Sequence, residues 1–422
     1  MQTRNVIVFS ACTCLQYMAG PLLYVGPQQG ALCESLGASP LVANLPEAAF
    51  YLMVVTPAFL AWWLPDVAFL RRMLFACYLA AAAALALVAL LLVVPAATEI
   101  KVAAVVLQGA VIGATIPTAI ALLWEAIGRG AAESRRGLAL SLAFGIGPFL
   151  AFGTSLVAQE LLKGTLWGVL SAPIEPPWNS VAVFGSGVPL LVAAALASRA
   201  LVIPPAAQAP IREPIWSGLR DFLKDPLLAK ATIVTVILYL GNAIPTNMNL
   251  YTKYVLTGNA QSFVNYQYAI RFGCKGIAGA LLGWVLSRSN PRAGIVITAI
   301  LFIAAPLWAL SVPGVSYLLA FGIFGAGELV GVFAPNYIVS ASSPERLRQN
   351  LAYVTMMMAP TSAAGFLFGA IAAHSGLNQA GGLRASFAVC AAILTIGLVL
   401  AVALLPKQPQ PERQIGESAG AA

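Results

Sequence analysis

Three ionisable residues lie deep inside apolar stretches of this chain, where a charge is costly enough to need a purpose. Arg271 and Lys275 belong to the run Asn265-Tyr266-Gln267-Tyr268-Ala269-Ile270-Arg271-Phe272-Gly273-Cys274-Lys275, and Glu328 belongs to another. In a helix, positions 268, 271 and 275 share one face. Arg271 falls about nine and Lys275 about thirteen residues inside its segment, roughly 14 and 20 Å deep at about 1.5 Å per residue. Burying one such charge costs from about 2.5 kcal/mol upward, so both call for a wet cavity, a counter-charge or an anion. Glu328, about thirteen residues into its own segment, matches the depth of Lys275 and is its expected partner. That pairing would leave the planar fork of Arg271 open to a carboxylate or phosphate. Separated from Lys275, Glu328 could take up a proton, which makes it the candidate coupling carboxylate. The competing reading is a purely structural ion network. It is the weaker one, because buried pairs often add little net stability.

A second constellation surrounds paired helix breakers. Gly20-Pro21 and Gly26-Pro27 interrupt the first apolar segment, and Gly241-Asn242 and Pro245 interrupt the seventh. Backbone groups freed at such breaks are tolerated at membrane depth only where protein or cavity water satisfies them, so matched breaks point to a binding site. Gln16, Tyr17, Tyr24, Gln28 and Gln29 lie near the first pair of breaks, and Tyr239, Asn242, Thr246, Asn247, Asn249 and Tyr251 near the second. Together with Gln267 and Tyr268 they can hydrogen-bond a polar solute. Plain kinks with amides bonding neighbouring helices account equally well for any single one of them.

The elements that must position these residues are apolar runs. The chain of 422 residues is 60% hydrophobic and 9% charged, with a mean hydropathy of +0.86, too little polar surface to coat a soluble core. A hydrocarbon core takes about 20 helical residues to cross. Segments near 5–25, 45–65, 72–95, 101–124, 137–158 and 180–202 meet that length, as do 229–250, 262–286, 293–312, 315–341, 350–373 and 384–405. Stretches such as 78–94 are apolar on every side, which argues for helices over barrel strands. The spacing predicts an all-α membrane protein of twelve helices. Its first half spans 1–202, a proline-rich charged linker 203–228, its second half 229–405 and a disordered tail 406–422. Trp216, Leu219, Phe222 and Leu223 would give the linker a short amphipathic helix, with a plain linker as the alternative.

Charge fixes orientation. Seventeen of the 23 Lys and Arg residues occupy every second gap between segments, so those gaps and both termini are expected in the cytoplasm of an inner or plasma membrane. Asp66 with Arg71 and Arg72, Glu125 with Arg129 or Arg136, and Arg288 with Arg292 are candidate gate charges at that face, although topology alone accounts for the arginines. Glu345 with Arg346 and Arg348 stands in the same position. Glu47 follows Pro46 in a first helical turn, where a carboxylate suits the helix dipole.

Other classes lack support. Cys12, Cys14, Cys77, Cys274 and Cys390 sit in apolar segments and Cys33 in an external loop, and none forms a C-x-x-C pair. No phosphate-binding G-x-x-x-x-G-K-[ST] loop is present, so the chain encodes no ATP site. With one histidine, it offers no metal-ligand spacing, and G-x-S-x-G is absent. The net charge of +8 is dispersed and carries no nucleic-acid signal. No cofactor is called for and no enzyme is indicated.

An internal repeat divides the chain. An offset of 212 superposes Gly113 on Gly325, Glu133 on Glu345, Arg136 on Arg348, Pro148 on Pro360 and Gly153 on Gly365, and an offset of 221 places Asp66 on Ser287 and Arg71 on Arg292. Around the second and third segments the chain reads Trp62-Trp63-Leu64-Pro65-Asp66-Val67-Ala68-Phe69-Leu70-Arg71-Arg72, with the counterpart Gly283-Trp284-Val285-Leu286-Ser287-Arg288-Ser289-Asn290-Pro291-Arg292. Both resemble the G-x-x-x-D-R-x-G-R-R loop of the major facilitator superfamily. Gln108-Gly109 resembles the end of that family's R-x-x-Q-G pattern, and Gly145-Ile146-Gly147-Pro148 with Gly153 its glycine-proline motif in the fifth helix. The resemblance implies two pseudo-symmetric six-helix bundles and secondary transport of a small molecule by alternating access. The buried cations favour an anionic or carboxyl-bearing solute, with protons as the candidate coupling ion. An efflux antiporter for amphipathic compounds, and a transport-inactive sensor or assembly partner on the same fold, stay open as alternatives.

Overall fold

The computed structural model describes residues 2–64, 67–130, 139, 141–169, 173–203, 214–286, 289–342, 347–374, 376 and 378–409. Among these the regular structure is helical throughout. The first predicted segment forms α1 (Gln2–Met18), α2 (Gly20–Leu23) and α3 (Pro27–Ser35), and the second forms α4 (Pro40–Ala43), α5 (Leu45–Met53) and α6 (Thr56–Trp63). Then follow α7 (Leu70–Val93), α8 (Thr98–Gly130), α9 (Gly147–Lys163), preceded by a π-helical turn over Ser141–Ile146, and α10 (Trp178–Ser198). The linker contributes α11 (Ile215–Lys224). The remainder comprises α12 (Pro226–Leu240), α13 (Ile244–Val255), α14 (Val264–Leu286), α15 (Pro291–Ser311), α16 (Leu319–Gly327), α17 (Val330–Ala341), α18 (Leu347–Met356), α19 (Thr361–Ala372) and α20 (Gln379–Leu404).

Nine stretches among the described residues are long and apolar enough to cross a membrane. Helices also occupy the other three predicted segments: α1 with its break, the 17-residue α9, and α14 with its two cations. Proline governs the breaks without unravelling them. Pro21, Pro27, Pro46 and Pro245 each stand in the first turn of a helix, where a missing N–H leaves no bond unmade. The interruptions fall at equivalent places, before Gly20 and over Gly241–Ala243.

Helices before residue 203 pack extensively on one another, α7 against α8 and α10, and α5 against α8. Those after residue 226 do likewise, α15 against α16 and α20, and α14 against α16. The two groups meet along α9 with α14, α5 with α19, and α3 with α13. The repeat reappears in backbone geometry. A Cβ on Gly113 would lie 2.2 Å from the Phe50 carbonyl oxygen, and one on Gly325 would lie 2.2 Å from that of Arg271. Gly113 and Gly325 are related by the offset of 212, and Phe50 and Arg271 by the offset of 221. Glycine is needed at both points because two helix backbones touch there. Gly325→Ala is expected to destabilise the fold by about 1–3 kcal/mol through overpacking, read as a lower thermal midpoint in detergent. An unchanged midpoint would mean that the α14–α16 contact is looser than the structure has it.

The linker helix corrects one detail. The four side chains expected to form a single surface face are divided: Phe222 is buried against Tyr353 with ring centroids 5.7 Å apart, whereas Trp216 is 70% exposed. Cys33, expected in an external loop, is fully buried within α3. The linker's residues 204–213 and the tail's residues 410–422 lie outside the described residues.

Candidate functional site

Gly325 is the lever that brings the deep charges together. Because it lets α16 touch the backbone of α14 at Arg271, Glu328, three residues on and therefore on the same helical face, is delivered against the Arg271 side chain. The guanidinium grips the carboxylate with both arms: Nε donates to Oε2 at 2.8 Å and Nη2 to Oε1 at 2.5 Å. Lys275 Nζ stands 3.6 Å from Oε2, beyond hydrogen-bonding range. The expected Lys275–Glu328 ion pair is present, but Arg271 is not left free as expected: its guanidinium fork matches the carboxylate edge and makes the closer, two-armed contact. Lys275 is the loosely held cation. Both partners of the tight pair are below one-tenth exposed, and the cluster of two cations with one carboxylate retains one net positive charge.

The broken first segment supplies the opposite wall. The ring of Tyr24, just past α2, lies 5.4 Å from the Arg271 guanidinium and 5.1 Å from Lys275 Nζ. Phe324 and Tyr268 lie 5.0 and 5.7 Å from the guanidinium, so the cation sits among ring faces that attract it. Carbonyls freed by the break find side-chain donors: Tyr268 Oη donates to Tyr24 O at 2.5 Å, and Gln29 and Gln108 both donate to Leu22 O, at 3.0 and 3.3 Å. Gln108 of the Gln108-Gly109 pair thus braces the broken helix, while Gly109 permits its backbone to touch Pro46. Tyr17 lies within electrostatic reach of Tyr24 and Lys275, and Lys275 Nζ reaches Tyr24 Oη at 3.5 Å.

Arg271, Lys275, Tyr268, Glu328, Tyr24 and Tyr17 therefore form one cluster, contributed by helices from both parts of the chain. Other candidates are engaged elsewhere. Gln16 donates to Tyr78 Oη, Gln267 to Thr252 Oγ1, and Asn247 to Phe368 O and Ser386 Oγ. Asn242 is buried at the second break. Thr246 leads to a residue read only as a dipole partner: its hydroxyl donates to Glu47 Oε2 at 2.5 Å, and Glu47 is 2% exposed. The Pro46-Glu47 pair correctly marked a first turn, but nothing in sequence showed that α13 would cover it.

Several of the expected gate charges fall among the described residues. Glu125 pairs with Arg129 at 2.9 Å within α8. Arg71 donates to Leu201 O at 3.5 Å and Arg292 to Leu405 O at 2.9 Å, each bracing its own part of the chain, and Arg72 is exposed. Asp66, Arg136, Arg288, Glu345 and Arg346 lie outside the described residues.

Among the described residues, several hydrogen bonds cross between the two parts at the opposite end. Asn44 Nδ2 donates to Asn247 Oδ1 at 2.7 Å, Asn249 Nδ2 to Pro27 O at 3.1 Å, Lys253 Nζ to Glu34 at 2.5 Å, and the Asn265 N–H to Gln159 Oε1 at 3.0 Å. Asn247→Ala removes a hub of this seal. It is expected to raise the labelling rate of buried Cys33 by a small thiol reagent about tenfold, as loss of about 1–3 kcal/mol of hydrogen bonding implies. An unchanged rate would show that the seal does not depend on Asn247.

No family model matches the sequence, and no curated protein does. Solved structures do match: the chain has the major facilitator superfamily fold and is a multi-pass membrane protein. It is similar to a D-xylose-proton symporter, with TM-score 0.73 and 12% identity over 96% of this chain and 98% of that one. The nucleoside transporter NupG gives 0.65 and 13% over 95% and 98%. The E. coli fucose:proton symporter gives 0.59 and 17% over 94% and 98%.

Proposed function

We propose that this chain is a secondary transporter, not an enzyme, that carries a small polar solute bearing an anionic or carboxyl group by alternating access, with protons as the coupling ion. Two six-helix halves, 1–202 and 229–405, rock about a site between them. The basic end and both termini face the cytoplasm of an inner or plasma membrane, and no ATP or nucleic acid takes part. On this reading the hydrogen-bonded end faces outward.

One observation carries the reading: a buried cluster with one uncompensated positive charge, in which Lys275 is weakly held and Arg271 is held by a carboxylate that a solute could replace. An entering anion docks first at Lys275 and then competes with Glu328 for the guanidinium, whose fork suits the same chemistry. Protonation of Glu328 weakens its hold on Arg271 and favours the exchange. Tyr17, Tyr24 and Tyr268 supply hydroxyls and ring faces for the remainder of the solute. Asp66, Arg71, Arg72, Glu125, Arg136, Arg288 and Arg292 serve as latch charges that re-pair when the basic end closes. The solved structures of proton symporters for sugars support coupled uptake.

Uptake of labelled carboxylates into proteoliposomes under an imposed proton gradient tests this. Uptake competed by other acids is expected. Absence of acid uptake together with drug resistance on overexpression would favour efflux of amphipathic compounds, and absence of any flux would favour a sensor.

A further inference from the structure

The linker helix α11 presents side chains that neither half of the chain covers. At about 100° per residue, its ten residues fall into successive stripes around the axis. One stripe is turned to the protein: Phe222 packs on Tyr353 of α18 with ring centroids 5.7 Å apart, and Gly218 comes so close that a Cβ there would overlap the Tyr353 hydroxyl. Leu223 and Trp216 form the next, 42% and 70% exposed. Then come the exposed Arg220 and Lys224, and last the exposed Ser217 and Asp221. Because the docked stripe fixes the rotation of the helix, the others point in settled directions.

The place of α11 in the chain says what lies against them. Only Asp225 separates it from α12, where the apolar span Pro226–Val255 begins, so Leu223 and Lys224 stand at the membrane surface. An amphipathic helix there sets apolar side chains at the acyl boundary and cations level with the headgroups, and tryptophan favours that interface. The stripes follow the same order from the protein outward: apolar, cationic, then acidic. A surface groove lined by Trp216, Leu219, Arg220, Leu223 and Lys224 joins the apolar stripe to the cationic one. Lys224 Nζ lies 2.9 Å from Asp221 Oδ1, with the two side chains 62% and 47% exposed. So exposed a pair is weak, and a phosphate can draw the ammonium away. Two exposed apolar side chains on a ten-residue helix fall short of the roughly 1,200 Å² that a stable protein interface buries, which sets lipid above a second copy of the chain.

We infer that α11 is a binding site for an anionic phospholipid, whose acyl chain lies along Trp216 and Leu223 and whose phosphate is held by Arg220 and Lys224. The site is separate from the central cluster and depends neither on the solute nor on its coupling. Only its assignment to the cytoplasmic leaflet rests on the orientation proposed above.

The test is fluorescence quenching on the full chain in lipid nanodiscs of phosphatidylcholine and phosphatidylglycerol in equal parts, with bromine on the acyl chains of one lipid or the other. The contribution of Trp216 is the difference between the parent protein and Trp216→Phe, which leaves the other tryptophans in place. Brominated phosphatidylglycerol is expected to quench it as though enriched about fivefold at the site, the factor that one cation near an anionic lipid is worth. Arg220→Gln combined with Lys224→Gln is expected to bring the two lipids to parity, and raised salt to narrow the difference. All three positions are exposed, so the variants leave the packed core as it is. Equal quenching by the two lipids in the parent would overturn the inference, as would a preference that the double variant keeps. A Trp216 signal that neither lipid quenches would overturn it too, since water or a protein would then cover that stripe. Carboxylate flux failing while the lipid preference holds would strike the solute assignment alone.

Discussion

Arg271→Ala is expected to abolish uptake of the anionic solute and to lower the stability of the protein by about 3–5 kcal/mol, because it strips a buried carboxylate of its fork and leaves only an ammonium 3.6 Å away. The two effects separate in Arg271→Lys. A lysine restores the charge but not the paired hydrogen bonds, so most of the stability should return while solute affinity remains at least about tenfold down, as loss of a charge-assisted bond implies. Thermal midpoints with and without solute, read beside initial uptake rates, check this. Full uptake in Arg271→Ala would remove the guanidinium from the transport path.

Glu328→Gln should give the opposite signature. Removing the internal competitor leaves two cations without a counter-charge, so an anionic solute binds more tightly, by about tenfold or more if one charge-assisted bond no longer has to be displaced. Solute exchange across proteoliposomes with equal pH on both sides should remain measurable. Accumulation driven by a pH gradient should be lost, because proton and solute no longer contend for the same guanidinium. Undiminished proton-driven accumulation would take Glu328 out of coupling.

The contrast between these variants shows how far a sequence carries such a site. Depth was legible in part: about 1.5 Å per residue set Glu328 level with Lys275, and the two form an ion pair. Rotation was not. That Arg271 makes the closer contact with Glu328 depends on Gly325 drawing α16 onto the Arg271 backbone, a contact between distant segments. The paired breaks were equally visible, since glycine and proline act on their own backbone, and they fall where the residues place them. Which side chains satisfy the freed carbonyls depended on the packing of α8 and α14, so Gln108 and Tyr268 took roles that local pattern could not assign. Asn247 and Gln16 illustrate the converse. Polar residues in an apolar helix must bond something, and these two bond the protein itself. Glu47 was legible only as far as its own helix: a carboxylate after proline is ordinary at a helix start, where the structure has it, and only the arrival of Thr246 from α13 turns it into a buried acid.

The most direct test of the central claim is a thermal-shift series on the purified protein with monocarboxylates, dicarboxylates, organic phosphates, neutral sugars and cationic amphiphiles, run in parallel on Arg271→Ala. The account predicts that carboxyl-bearing or other anionic compounds raise the midpoint of the parent protein and that the same compounds leave the variant's midpoint where it was. Stabilisation confined to neutral or cationic compounds, or a rise of equal size in Arg271→Ala, would contradict it.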